Sequence, residues 1–207
     1  MESGIRHSPG PTGVTRRAAY AEAVAQPPAL MVWTIGHSTR SLADLVALLQ
    51  EHRVTRLVDV RRMPHSKRHP QFDTAALARD LPAAGIDYRH SPGLGGFRTP
   101  RENSVNTAWR TPAFRGYADY MQTTDFAAHL EALRIEAAIA ATAVMCAEAH
   151  PVRCHRSLLA DALLVRGVDV RHILGPANDE AHTLTPDARV VDGLLSYPGQ
   201  LPLFGAG

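Results

Sequence analysis

The segment MCAEAHPVRCHR, residues 145–156, gathers two thiols, two imidazoles, a carboxylate and two guanidinium groups in one short stretch. Cys154, at the start of a helical pattern beside His155 and Arg156, would have its thiol drawn toward the thiolate form. That thiolate could attack an electrophile while Arg156 holds the anionic group under attack. Glu148 would act as a general base or as the partner that fixes Arg156. The same residues admit other chemistries. Cys146, His150, Cys154 and His155 have a compact C-x3-H-x3-C-H spacing that could hold zinc, although it matches no common zinc motif. The two thiols could close a disulfide, which a reducing cytosol disfavours, or Cys146 could be plain core. A phosphatase-type loop fails by one residue, because Val152 stands where its arginine is needed and Arg153 follows.

Two further clusters share this polar character. His37 and Ser38 follow a strand pattern and precede a helix, where free backbone N–H groups and the helix dipole favour an anion. Ser38 and Ser41 could equally serve as caps alone. Asp59 ends a hydrophobic run and is followed by Arg61 and Arg62; such an aspartate can hold an arginine, act as a base or bind a sugar hydroxyl. The loop RRMPHSKRHPQF, residues 61–72, adds His65, Lys67, Arg68 and His69 and reads as a candidate phosphate clamp. The catalytic set is therefore His37, Asp59, Glu148, Cys154 and His155. The anion-binding set is Ser38, Arg61, Arg62 and Arg156, with no metal and no cofactor. Tyr117 and Tyr120, on one helical face, read as packing rather than base-stacking residues.

These groups need a scaffold that delivers them to one place. From Leu30 the chain alternates strand and helix patterns. Leu30–Ile35, Arg56–Val60, Ile86–His90, Ala143–Cys146 and Val168–Ile173 read as strands. Ser41 reads as the N-cap of a helix whose Leu42, Leu45, Val46 and Leu49 share a face. Further helices are expected over Thr74–Ala84, around Phe114–Met121, over Asp125–Ala140 and over Ser157–Val165. The pattern predicts a single α/β domain: a mostly parallel sheet with flanking helices in Rossmann-like layering. In such a sheet ligands sit beyond the carboxyl ends of the strands, and each polar cluster follows a strand. His37, Asp59, Arg61, Glu148, Cys154, His155 and Arg156 should therefore line one pocket at that edge.

Residues 1–29 read as a disordered leader rich in Gly, Pro, Ser and Ala, with Met31 an alternative start. The α/β domain is placed at 30–175 and a C-terminal extension at 176–207. No run of about 18 apolar residues occurs, which excludes a membrane-spanning helix. Two cysteines in 207 residues exclude a disulfide scaffold and fit a cytoplasmic location. The formal net charge is +2, yet residues 53–120 alone carry 12 basic against 6 acidic side chains, nearly all of the basic ones arginine.

The strings TIGHS (34–38), DVRRMPHSKRHPQF (59–72), Tyr88 with Leu94–Gly96, YADYM (117–121), MCAEAHPVRCHR (145–156) and VRHI (170–173) occur in order and together resemble the bacterial domain of unknown function 488 family. The resemblance spans about residues 31–175. It implies an α/β cytoplasmic protein with a polar site, and some members carry a loose DNA-repair label. The first reading is thus a nucleic-acid-associated enzyme, linked to DNA repair or replication, that binds a phosphate or other anion at the sheet edge. A Cys-dependent enzyme for a small anionic metabolite and a non-catalytic nucleic-acid-binding module are the alternatives. Finally, Gln200, Leu201, Leu203 and Phe204 resemble the pentapeptide that docks on the bacterial sliding clamp, an extended-peptide mode of recognition.

Overall fold

The computed structural model describes residues 30–65 and 67–199. The leader at 1–29 and the docking peptide from Gln200 to Phe204 lie outside the described residues. The main sheet has six strands: β1 (Met31–Gly36), β2 (Arg56–Asp59), β3 (Asp87–His90), β4 (Thr142–Cys146), β5 (Asp169–Gly175) and β6 (Asn178–Ala181), in the order β3-β2-β4-β1-β5-β6. The first five pair in parallel, and β6 pairs antiparallel to β5. β4 lies inside the sheet with all five residues buried, as its apolar run TAVMC requires.

Side chains alternate between two cores, one on each face of the sheet. Ile35, Leu57, Ala143, Met145 and Ile173 face Leu45, Leu48 and Leu49 of α1 (Leu42–Glu51) and Leu77 of α2 (Thr74–Asp80). Val32, Val58, Val144 and Val170 face the opposite way. There they meet α3 (Pro112–Met121), α4 (Thr124–Ile139) and α5 (Arg156–Leu164). α4 buries Phe126, Leu130, Leu133 and Ala137, the four-three-four spacing of one helical stripe. Ser41 caps α1 in a capping box with Asp44. The helix expected over Thr74–Ala84 ends at Asp80, and Pro82–Ala84 form a separate 3-10 turn. Pro82 lacks the N–H that would continue the helix.

The boundary expected at 175 is not where the folded unit ends. β5 reverses at Pro176-Ala177 and β6 widens the sheet. A small hairpin then follows, β7 (Arg189–Val191) and β8 (Leu194–Ser196), turned by Asp192 and Gly193 with φ of 49° and 76°. Positive φ at both turn residues is the tight hairpin geometry that Asp-Gly favours. Tyr197 is fully buried in the core of the α3–α5 face. Among the described residues no helix is long and apolar enough to cross a membrane.

Candidate functional site

β4 has β1 on one side and β2 on the other. The chain leaves β1 toward α1 and β2 toward α2, both on one face, while β4 leads to α5 on the other. Diverging connections open a crevice at the carboxyl ends of neighbouring strands, where α/β folds bind ligands. Two adjoining cavities occupy it. The first, about 380 Å³, is lined by Arg61, Arg62, Arg153, Glu148, Cys146, Cys154 and His155, with Met63, Phe97 and Phe114 adding an apolar side. The second, about 360 Å³, takes in His37, Ser38, His65, His69 and His150. Arg61, Met63, Glu148 and Arg153 border both.

The loop after β4 is built onto the end of β1. His37 N donates to Cys146 O and Ser38 N to Ala147 O, each at 2.9 Å, so the ladder outlasts the strands. Gly36 makes this approach possible, because a Cβ there would lie 1.8 Å from the Glu148 carbonyl oxygen. Ser38 accepts a φ of 47° to complete the turn, the kind of local strain that accompanies binding sites.

Arg61 is the centre of the polar network. Its Nε donates to Asp59 Oδ1 at 2.9 Å, its Nη2 to Asp59 Oδ2 and Phe72 O at 2.6 Å, and its Nη1 to His37 Nε2 at 3.0 Å. Of the five N–H groups of a guanidinium, these use four, leaving one hydrogen on Nη1 beside both cavities. Burial works against the charge of Arg61, and the hydrogen bonds and charge of Asp59 more than offset it, raising its pKa. Tyr88 OH also donates to Asp59, at 2.9 Å. Asp59 is fully buried and committed to Arg61. His37 must accept at Nε2, since arginine only donates, and therefore donates from Nδ1 to Ser38 O at 3.0 Å. Burial, then the neighbouring Arg61 charge, lowers its pKa from 6.5 to about 4. His37 is thus a neutral prop stacked on Phe72, 4.2 Å between ring centres.

Arg156 is 1% exposed and sits under the cavity floor, donating to Glu148 O at 2.5 Å and Ala149 O at 3.3 Å. From it a directional chain runs into the fold. Arg156 Nη1 lies 3.4 Å from Thr34 Oγ1, which is 2.7 Å from His172 Nδ1; His172 Nε2 is 3.0 Å from His182 Nδ1, and His182 Nε2 is 2.8 Å from Asp161 Oδ1. With an obligate donor at one end and a carboxylate at the other, each link donates toward Asp161. Thr185 and Tyr197 hydroxyls complete the Asp161 shell at 2.6 and 2.7 Å. Burial, then the neighbouring His182 and the Arg156 charge, lower the His172 pKa to about 4. The segment after 175 therefore fastens Arg156, and through it the Glu148 loop.

The thiol cluster lies on the first cavity. His155 Nδ1 is 3.6 Å from Cys154 Sγ and 4.0 Å from Cys146 Sγ. Proximity to the Cys146 thiol, the His155 imidazole and the Arg156 charge holds Cys154 toward the thiolate, while the same pairing and burial push Cys146 up. Among the described residues these three are the group whose sulfur and imidazole ligand atoms, all within 4.8 Å of one another, could hold a metal ion. His150, included in the sequence spacing, is exposed on the second cavity instead. The Glu148 side chain is exposed on both cavities.

The structure thus brings His37, Ser38, Arg61, Arg62, Glu148, Cys154 and His155 to the cavity walls, with Asp59 and Arg156 directly behind them. Arg62 donates to Phe97 O at 2.8 Å and stays at the rim. Arg153, Met63 and Phe97 were not singled out from sequence. Arg153 carried a signal, one arginine in a polar motif, but only the 3-10 turn Pro151–Arg153 decides that it faces the cavity while Arg156 turns inward. Tyr117 is buried, with its OH donating to Leu94 O at 2.9 Å, and Tyr120 carries Arg98 stacked 3.5 Å over its ring.

No match was found among curated proteins or among solved structures. The family model described as Domain of unknown function DUF488 matches residues 41–163, a span that holds Asp59, Arg61, Glu148, the two cysteines and Arg156. By that match over more than half its length, the chain belongs to the DUF488 family.

Proposed function

We propose that the crevice binds a phosphate-bearing nucleotide unit of a nucleic acid, and that the protein is an enzyme acting on it, with the Cys146–Cys154–His155 cluster as the reacting centre and Glu148 as the proton carrier. The observation that carries this reading is the single uncommitted N–H of Arg61, a residue that Asp59 and His37 fix and that lines both the cavity holding the thiols and its neighbour. A guanidinium immobilised in advance binds an anion without the entropic cost of ordering it. Arg62 and Arg153 raise the positive potential at the mouth. Phe97 and Met63, 77% and 74% exposed, offer apolar faces on which a base can stack. Phe97 holds a φ of 57°, unusual for an aromatic residue.

A small anionic metabolite is the second reading, favoured by the volume of the first cavity, about 380 Å³, which lies in the range of small-molecule sites. Fluorescence anisotropy with a labelled single-stranded oligonucleotide separates the two. The nucleic-acid reading expects binding that weakens as salt rises, and an Arg62→Ala, Arg153→Ala double variant with a log–log salt slope shallower by about 1.5. Absence of oligonucleotide binding at low salt overturns it, and binding unchanged in the double variant removes the crevice as its location.

A further inference from the structure

Zinc bonds of about 2.3 Å to sulfur and about 2.0 Å to imidazole, arranged tetrahedrally, hold a sulfur and a nitrogen ligand about 3.6 Å apart. His155 Nδ1 stands 3.6 and 4.0 Å from the two cysteine sulfurs. Both imidazole-to-sulfur spacings of a tetrahedral site are therefore present to within a few tenths of an ångström, and the two sulfurs lie within 4.8 Å of one another. We infer that Cys146, Cys154 and His155 bind a thiophilic divalent cation of the zinc class, with the fourth coordination position open to the first cavity.

The scaffold leaves these ligands little freedom. Cys146 is the last residue of β4, and Cys154 and His155 are consecutive at the corner entering α5. The cysteines are only 8% and 4% exposed. One hydrogen on Nδ1 can serve a single sulfur, whereas a cation satisfies the imidazole and both sulfurs together. Two thiolates and a divalent cation sum to zero charge, which suits a buried cluster. Sulfur and imidazole donors select zinc or cobalt over magnesium or calcium. His155 Nε2 is buried without a partner among the described residues, and a hydrogen there leaves the Nδ1 lone pair facing the sulfurs.

Bound in this way, both sulfurs are ligands and water takes the open corner. The cation acidifies that water, its proton passes to the Glu148 carboxylate on the same cavity, and the hydroxide remains as nucleophile. The hydroxide's role rests on the proposed function; the site itself does not, because Arg62 and Arg153 are not among its ligands.

Cobalt titration of the reduced full-length chain tests the site. The expected result is one Co²⁺ per chain, with a thiolate-to-cobalt charge-transfer band and the strong visible absorption of tetrahedral cobalt, bleached by zinc. Cys146→Ser and Cys154→Ser should each weaken binding by about a hundredfold or more, and His150→Ala should leave it unchanged. Alkylation of the wild-type thiols keeps the test decisive where a serine variant fails to fold: zinc should slow it about tenfold or more, and a chelator should restore it. Absence of the charge-transfer band, alkylation indifferent to zinc, or a Cys146–Cys154 disulfide in place of metal uptake would each overturn the inference. The Arg62→Ala, Arg153→Ala double variant should keep the cobalt spectrum, so that loss of oligonucleotide binding and loss of metal are read separately.

Discussion

At the scale of single residues the site separates groups that work by being fixed from groups free to meet a ligand. Asp59, His37 and Arg156 have the chemistry of a base, an acid and an anion receptor, yet each is spent on holding another residue. Arg61, Arg153 and Glu148 keep an open valence toward the cavities. Asp59→Ala leaves the Arg61 charge buried without its carboxylate and should cost about 3–5 kcal/mol in a denaturant titration; Arg68→Ala, on the exposed loop, should stay within about 0.5 kcal/mol. His37 and His172 give a pH dependence of definite sign. Each has a folded pKa of about 4 against 6.5 when exposed. Between those values the unfolded chain binds more protons, so stability is complete above about pH 6.5 and falls as pH drops toward 4. The urea midpoint measured across that range should decline, and His172→Gln should flatten part of the decline.

At the scale of elements, much of the site was legible because parallel strands deliver their carboxyl ends to one edge. The residue that follows each apolar run is therefore positioned by topology alone. This is why His37, Asp59 and Glu148 could be grouped without knowing the strand order. Which of two arginines, Arg153 or Arg156, would face a ligand depends on one 3-10 turn, and local sequence does not encode that choice. The segment after Gly175 was missed for a different reason. Its strands are three or four residues long, too short for periodicity, and the Asp192-Gly193 hairpin signal sits among partly polar neighbours. Gly36 shows how closely the elements are fitted. Gly36→Ala drives a Cβ into the Glu148 carbonyl and should destabilise the chain by more than about 2 kcal/mol, while Gly175→Ala, with open space around it, should not. Thermal unfolding of the two variants side by side checks this.

At the scale of the whole molecule, the arginine-rich middle of the chain reaches the crevice through Arg61 and Arg62, while Lys67 and Arg68 follow on the exposed loop beyond it. The terminal Gln200-Leu201-Pro202-Leu203-Phe204, outside the described residues, resembles a clamp-docking pentapeptide, and a binding experiment tests that resemblance. Titrating the clamp with wild type and with a Leu203→Ala, Phe204→Ala double variant should show binding by the first alone; equal binding, or none by either, removes that partner. Phosphate binding in the crevice is checked by a crystal structure of the protein with a single-stranded oligonucleotide carrying a terminal phosphate. A phosphate oxygen is expected about 3 Å from Nη1 of Arg61, with Arg153 closing over it and the adjoining base against Phe97. A phosphate bound only along Lys67 and Arg68, with nothing but solvent beside Arg61 and the cysteines, would contradict it.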